Sequence, residues 1–391
     1  MHGPPKRARL APLVLATMAS QALLVVLSPT IVAIGRELEA SVGAVGQARS
    51  VTAGVAIATS VAITPRIDAV GIPRLLGVGA ALAITACAAV AASPTLAVFL
   101  TAHALVGLGF ACLLSAGFAG VAAFSQERRA WAIGYVAGAN ALAWIVVNPL
   151  VGLVTDWLTW RLAEAIPGAI ALAALLASHA AAPAPGGRTA PGMRRLVAAV
   201  SARRWIGAEL IAYGAWTALL TFIGAFFIER LGVGEAAAGL LLASGAAAYF
   251  AASTRSGGLA GRISRRRLVA GSALLMAALL PSQLSVTGSV PLAVGIFCLM
   301  GLVAGIRTPA SSGLGLEQLP DHPVAMMAAR TAATQLGYLL GAAVGGALIA
   351  GAGYGTLGFV LAAGMVVSAV LVLRVDDPVE RRAGPAPARL G

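Results

Sequence analysis

Apolar positions along this chain come in long unbroken runs, each near the roughly 20 residues that a helix needs to cross the hydrocarbon core of a bilayer, with short polar breaks between them. About twelve such runs can be placed, near 11–34, 42–63, 75–92, 95–118, 131–154, 162–181, 205–228, 235–254, 268–287, 290–312, 325–350 and 353–374. The pattern predicts an all-α membrane protein with about twelve transmembrane helices.

The runs fall into two similar sets. Between the second and third runs lies Thr64-Pro65-Arg66-Ile67-Asp68-Ala69-Val70-Gly71-Ile72-Pro73-Arg74, and between the eighth and ninth lies Gly257-Gly258-Leu259-Ala260-Gly261-Arg262-Ile263-Ser264-Arg265-Arg266-Arg267. Asp68 and Gly261 hold equivalent places in these loops, about 193 residues apart, and the same offset carries Pro149 onto Ala342. That offset is half the chain. It divides the sequence into a six-helix half at 1–181, a Pro-, Gly- and Arg-rich linker at 182–204, a second six-helix half at 205–374 and a tail at 375–391. Two pseudo-symmetric halves of many spans are the architecture of secondary transporters, whose substrate site lies between the halves.

Composition agrees with the pattern. With 59% hydrophobic and 10% charged residues and a mean hydropathy of +0.90, the chain has more apolar surface than a water-soluble globule of its size could bury. Its net charge of +13 does not read as a nucleic-acid interface, because the arginines follow alternate loops. Lys6, Arg7, Arg9, Arg66, Arg74, Arg128, Arg129, the linker arginines Arg188, Arg194, Arg195, Arg203 and Arg204, then Arg255 to Arg267 and the tail fall on one side. The other side holds chiefly Arg36, Arg161 and Arg230, each near Glu37, Asp156 or Glu229. The positive-inside rule then places both termini in the cytoplasm, which an even number of spans requires. A cleaved signal peptide is not the reading of the first run, since it continues past Leu24 to about Ala33 and its loss would break the charge pattern. The linker arginines serve as a solvated topological anchor and can also touch anionic headgroups.

Several chemistries are excluded. Lys6 is the only lysine and lies in the N-terminal tail, so no Walker A loop can form and transport must draw on a gradient unless another subunit hydrolyses ATP. Cys87, Cys112 and Cys298 all fall within runs, without paired spacing or nearby histidines, and read as small packing residues. Gly-x-Ser-x-Gly, His-Glu-x-x-His and aspartate-rich diphosphate motifs are absent from the sequence. No enzyme, cofactor or metal site is expected.

The two loops, with the twelve-run plan, resemble the major facilitator superfamily, particularly its drug and metabolite exporters, over nearly the whole chain. The family's loop pattern Gly-x-Leu-Ala-Asp-Arg-x-Gly-Arg-Arg survives in the first half as Asp68 and Gly71, with Arg74 one place late. In the second half Gly257, Leu259, Ala260, Arg262, Arg265 and Arg266 fit, while Gly261 replaces the aspartate and Ser264 the glycine. Physically the loop is a tight turn whose glycine relieves the backbone and whose charges can bridge helix ends. The resemblance implies a cytoplasmic gate with Asp68 as its acid; the plainer reading is a solvated charge. The fourth run is similar to the family's intramembrane Arg-x-x-x-Gly motif, with His103 in the arginine's place and Gly107 kept. A histidine there can exchange protons near neutral pH or simply be hydrogen-bonded within a packed helix. The family's antiporter motif persists as Pro149 and Gly152 in the fifth run, with Trp144 replacing its first glycine, and as Gly337, Gly341, Gly345 and Gly346 in the eleventh. Spaced glycines let helices approach closely and a proline bends one.

Polar residues deep in the runs are the remaining candidates. Arg49 lies about eight residues into the second run, about 12 Å of helix from its end. An arginine at the centre of a spanning helix costs about 2.5–3.5 kcal/mol on insertion scales. Counting from the loops places Gln21, Gln47, His103, Asn140 and Trp144 near Arg49, and Trp216, Thr217, Thr221, Gln335 and Tyr338 near the midplane of the second half. These form the expected substrate cavity. Arg49 could instead pair with Glu37, Glu39 or a backbone carbonyl. Glu209 is the one acid clearly inside a run, since Ser28 stands where related exporters often carry an acid. Desolvation suits such an acid to proton exchange with His103 as a second group, unless it snorkels or pairs with Arg307 or Arg330.

The expected function is export of small organic molecules across the cytoplasmic (inner) membrane by a monomer, through proton antiport and alternating access. Uptake symport of a metabolite or organic anion and a non-transporting receptor are the alternatives. The partners are the solute, protons and the bilayer, with no nucleic acid. The orientation is testable: a cysteine at Arg188 is expected to react only with reagents on the cytoplasmic side, and labelling from outside in intact cells would overturn it.

Overall fold

A computed structural model describes residues 9–182, 198–260 and 263–377. Among them every regular element is a helix. In chain order these are α1 (Ala11–Val25), α2 (Leu27–Glu37), α3 (Val42–Ile63), α4 (Ile67–Val70), α5 (Ile72–Ala91), α6 (Leu96–Ala119) and α7 (Gln126–Trp157). There follow α8 (Trp160–Ala163), α9 (Ala165–Ser178), α10 (Val200–Leu231), α11 (Glu235–Ala260), α12 (Arg265–Ser285), α13 (Val290–Leu316) and α14 (Pro323–Leu373). The linker residues Arg188, Arg194 and Arg195, together with Gly261 and Arg262, lie outside the described residues.

Ten of these stretches are long and apolar enough to cross a membrane, α1 and α2 forming one of them. Helix α3 has the length, 22 residues, but carries Gln47, Arg49, Ser50 and Thr52. Helix α14 counts once although Gly353, at φ 78°, breaks it into two limbs. Twelve spans result, as the apolar runs predict. Many helices extend a turn or more beyond their runs, α7 and α10 to 32 residues each. Apolarity marks the part in hydrocarbon, while the helix continues through the headgroups, where polar residues cost nothing. Ser41, Thr95, Ser264 and Ser289 each accept a backbone N–H at a helix start, satisfying donors that have no partner within the helix. Gly71 adopts φ 79° between α4 and α5, a left-handed turn that a side chain would strain.

Within the first half α1 packs on α6, α7 and α9, and α5 on α6 and α9; within the second, α10 and α12 pack on α14, and α11 on α13. The halves meet through three seams: α7 with α11, α3 with the first limb of α14, and α2 with α10. The second span of each half thus packs on the fifth span of the other, as a two-fold relation between duplicated halves demands. The seams need small residues, because helices in lipid associate by close packing rather than by a hydrophobic drive. A Cβ at Gly152 would strike the backbone carbonyl of Glu235, and one at Gly239 that of Asn148. Gly46 and Gly345, at the equivalent places 193 positions away from Gly239 and Gly152, do not meet each other. Both instead face the ring of Phe222 from α10, which fills the space between them. Further out, Gly43 and Gly346 meet backbone to backbone and Gly224 lies against Ser28. Gln47 donates to the carbonyls of Ala342 (3.5 Å) and Ala343 (3.4 Å), and Ser50 to that of Leu339 (3.0 Å). An ion pair of Arg36 with Glu235, 3.4 Å, spans the two halves at the edge.

These contacts lie on the side opposite the arginine-rich loops. On the arginine side α7 presents Gly134 and Gly138, around which a Cβ would find open space. The close contacts between the halves are thus concentrated on one face. Replacing Gly152 by Val is expected to force the α7–α11 seam apart at a cost of about 1–3 kcal/mol. In a background without native cysteines, a thiol at the buried Ser28 should then label about tenfold faster or more; an unchanged rate would show that the seam tolerates the added atoms.

A candidate central binding site

About halfway along the spans lies a cavity of about 270 Å³, walled by both halves. Its lining follows helical periodicity. Helix α10 contributes Tyr213, Trp216 and Leu220, spaced three and four apart, and α14 contributes Arg330, Thr331, Thr334, Gln335 and Tyr338 from one face. From the first half come Gln21, Leu24, Phe110, Asn140 and Trp144, among others. Eight of the 22 lining residues are aromatic, in a chain with 5% aromatic residues, so the walls are rich in flat rings and are interrupted by a polar stripe on α14. Toward the arginine side the cavity reaches Phe118 and Thr331, both exposed.

Gln21, Asn140, Trp144, Trp216, Gln335 and Tyr338 line this cavity as the depth count expects. The Trp144 indole N–H donates to the Gln21 amide oxygen at 3.4 Å, which orients both toward the interior. Thr217 and Thr221 do not line it. Their hydroxyls donate within α10, to the carbonyls of Tyr213 and Thr217 at 2.7 Å each, and Thr217 also faces the Gly337 carbonyl at 3.4 Å, so they serve helix packing. His103 is also outside: its Nδ1 bonds the Phe99 carbonyl at 2.8 Å and its ring packs on the Phe99 ring at 4.4 Å. Thr52 donates to the backbone oxygen of His103 at 3.3 Å, one turn before Gly107 admits Thr52 and Val55 against the helix. His103 is thus hydrogen-bonded and packed within the first half, behind the cavity wall.

Arg49 lies just behind the wall. It is 2% exposed, and its guanidinium carbon stands 5.9 Å from the centre of the Tyr338 ring, whose side chain lines the cavity. None of its three guanidinium nitrogens has a hydrogen-bond partner among the described residues. The pairings with Glu37, Glu39 or a backbone carbonyl are therefore not made, and Glu37 instead accepts from Arg161 at 2.7 Å and from Trp160 at 2.5 Å.

Glu209, fully buried, is an ion-pair centre rather than a free acid. It accepts from Arg307 (2.8 Å) and Ser311 (2.9 Å) on one oxygen and from Arg330 (3.0 Å) on the other. Arg330 also donates to the Tyr213 hydroxyl at 2.6 Å. Two guanidinium groups share one carboxylate, and one of them, Arg330, lines the cavity. Arg330, expected from the sequence only as a partner for Glu209, also lines the cavity because the 330–338 face of α14 turns inward. Tyr213, one turn before Trp216 on the same face of α10, lines it as well. Glu164 is a second buried acid, 5% exposed, but at the opposite-side end of the sixth span and away from the cavity.

The loop motifs sit apart from the cavity. Arg265 pairs with Glu317 at the end of α13, and the Arg266 backbone N–H donates to Asp377 at 3.1 Å, so the basic loop ties neighbouring helix ends together. Arg74 is exposed in the first turn of α5. The Asp68 side chain and Arg262 fall outside the described residues. Pro149 lies inside α7 beside the Gly152–Gly239 contact, while Gly341 lets α14 meet the Gly214 backbone of α10.

Sequence and fold comparisons agree with this architecture. The family model of the Major Facilitator Superfamily matches residues 13–208 and again 205–390, so one description fits each half. Among solved structures, a variant of the nucleoside transporter NupG aligns with a TM-score of 0.76 over 94% of this chain and 100% of that one, at 12% identity. A D-xylose–proton symporter aligns with a TM-score of 0.77 over 94% and 97%, at 15% identity. At such identities the likeness is one of fold. No curated protein matches the chain in sequence.

Removing one partner of a buried ion pair leaves an uncompensated charge and costs about 3–5 kcal/mol. Glu209→Ala is therefore expected to lower the unfolding temperature in detergent, followed by tryptophan fluorescence. Adding Arg307→Met should recover part of the loss, since it removes one of the two orphaned cations. Additive losses in the double variant would show that the three groups do not act as a unit.

Proposed function

The chain belongs to the Major Facilitator Superfamily, and on that premise we propose that it is a secondary active transporter exporting small organic molecules by proton antiport. The observation that carries the reading is the central cavity, walled by both halves, closed on one side by glycine seams and reaching the exposed Phe118 and Thr331 on the other. Rocking the halves about that cavity would close the arginine side and part the seams, presenting the same residues to the other face. In this reading both termini lie in the cytoplasm of a cell whose inner membrane holds the protein, the working unit is a monomer, and the state described is open to the cytoplasm.

The cavity supports recognition of a small molecule with a flat apolar body, through Phe110, Trp144, Trp216 and Tyr249, oriented by the polar stripe on α14. Proton coupling is assigned to Glu209, the one carboxylate in contact with a charged cavity residue, with His103 as a second group. A solute group that engages Arg330 competes with Glu209 for the same guanidinium, so the carboxylate's protonation and solute binding are linked by mutual exclusion. Asp68, with Arg74, Arg262, Arg265 and Arg266, is the proposed gate on the arginine side.

The second reading is uptake of a metabolite or organic anion in symport with protons, an activity named for one structure of the same fold. Flux direction separates the two. In proteoliposomes with an imposed pH gradient, antiport moves solute against the proton flow and symport moves it with that flow. Glu209→Gln, compared per folded molecule, is expected to retain solute binding and lose most pH-driven flux. Full proton-dependent flux in the Glu209→Gln and His103→Gln double variant would remove both residues from coupling, and no gradient-dependent flux of any solute would leave a receptor-like protein.

A further inference from the structure

Arg49 is unexplained by packing. A guanidinium at 2% exposure with three unpartnered nitrogens has lost its water and gained no counter-charge. The one compensating contact recorded is the face of Tyr338, at 5.9 Å the outer edge of a cation–π interaction. Among the described residues no carboxylate bonds it, and Glu37 and Glu209 are bonded elsewhere, to Trp160 and Arg161 and to Arg307 and Arg330. His103, on the helix packed against α3, brings no negative charge.

The cavity side of the same ring is equally one-signed. Arg330 is the only ionisable acid or base other than tyrosine among the described lining residues, and its cluster holds two arginines to one carboxylate. Between Arg330 and Tyr338 the α14 face carries Thr331, Thr334 and Gln335, a polar ladder about 12 Å long. The ladder leads from an arginine at the open side to an arginine behind Tyr338. Asn140, across the cavity, has a buried amide oxygen without a hydrogen-bond partner.

We propose that Arg49 is the anion-recognition group of this transporter, that the Tyr338 ring screens it from the cavity in the state described, and that the substrate is an aromatic or apolar organic anion of the carboxylate class. The inference rests on the transport reading and specifies its substrate. The anionic group enters along the α14 ladder, displaces the Tyr338 ring from the guanidinium and pairs with it bidentately, in the fork geometry that arginine offers a carboxylate. The apolar body stays against Phe110, Trp144 and Trp216. Because Arg49 and Tyr338 belong to α3 and α14, the helices of one seam, the substrate reports its arrival to the contact that must part during transport.

The test uses the purified full chain and three probes of one shape and different charge: benzoate, benzamide and phenyltrimethylammonium, at millimolar concentration. Quenching of the cavity tryptophans and the shift in unfolding temperature are the binding readouts. Benzoate is expected to bind at least about tenfold tighter than the amide or the ammonium compound. Arg49→Met should remove that preference, Arg49→Lys should keep part of it, and Tyr338→Ala should strengthen benzoate binding by removing the screen. Arg49→Met also discards an unpaired buried charge, so its unfolding temperature reports whether the fold is intact. Equal affinity for the three probes, no benzoate binding, or preference unchanged in Arg49→Met overturns the proposal. Flux is measured separately: gradient-driven uptake or release of a cation, unaffected by Arg49→Met, refutes the anion site and leaves transport standing, whereas Arg49-dependent benzoate binding without any flux does the reverse.

Discussion

Close backbone approach between helices of opposite halves is the constraint on which this molecule depends. In lipid nothing drives two apolar helices together except the fit of their surfaces, and the fit here is set by glycine. At the α7–α11 seam Gly152 and Gly239 let carbonyls of the facing helices come where no side chain could stand. At the α3–α14 seam Gly43 and Gly346 do the same nearer the end. These contacts close one face without covalent or strongly polar ties, since the one ion pair across it among the described residues, Arg36 with Glu235, has an arginine side chain that is 67% exposed and contributes little. A closure of that kind can be undone by a rigid-body rotation, which is what alternating access requires.

Stability is distributed unequally around this arrangement. The second half is tied internally by the Glu209 centre, which joins α10, α13 and α14 through Arg307, Ser311 and Arg330. Its basic loop adds Arg265 with Glu317 at the helix ends. Within the first half the corresponding polar centre lies at the edge of the spans rather than inside them, where Arg161 binds Glu37 and the carbonyls of Ala91 and Ser93. The cavity's charge therefore comes mainly from the second half by way of Arg330, and from the first half only through Arg49.

Much of the fold was legible in the sequence because a bilayer imposes length and charge rules that few residues can satisfy by accident. Runs of about 20 apolar residues gave the spans, and the 193-residue offset gave the halves. Helix ends were less legible: α7 starts at Gln126 rather than near 131, because helix persists where hydropathy does not. At the site, depth along a span identified residues near the midplane but could not say which way they face. Gln21, Asn140 and Trp144 point to the cavity, whereas Thr217, one residue after Trp216, turns its hydroxyl onto its own helix. Glu209 drew attention as an isolated acid. Arg307 and Arg330 are legible as possible partners, but that the carboxylate takes both at once, from α13 and α14 at 98 and 121 positions away, shows only when the helices are placed side by side.

The duplication is imperfect at the level of the seam glycines, and the imperfection makes the two seams unlike. Gly152 and Gly239 are replaced at their symmetry-related places by Gly46 and Gly345 with the Phe222 ring between them. A backbone-to-backbone contact is short-ranged and lost at once when helices separate, while an aromatic ring can slide or tilt and keep much of its surface covered. At that level the α3–α14 seam can tilt over an aromatic surface, while its outer end, at Gly43 and Gly346, has to part as abruptly as α7 does from α11.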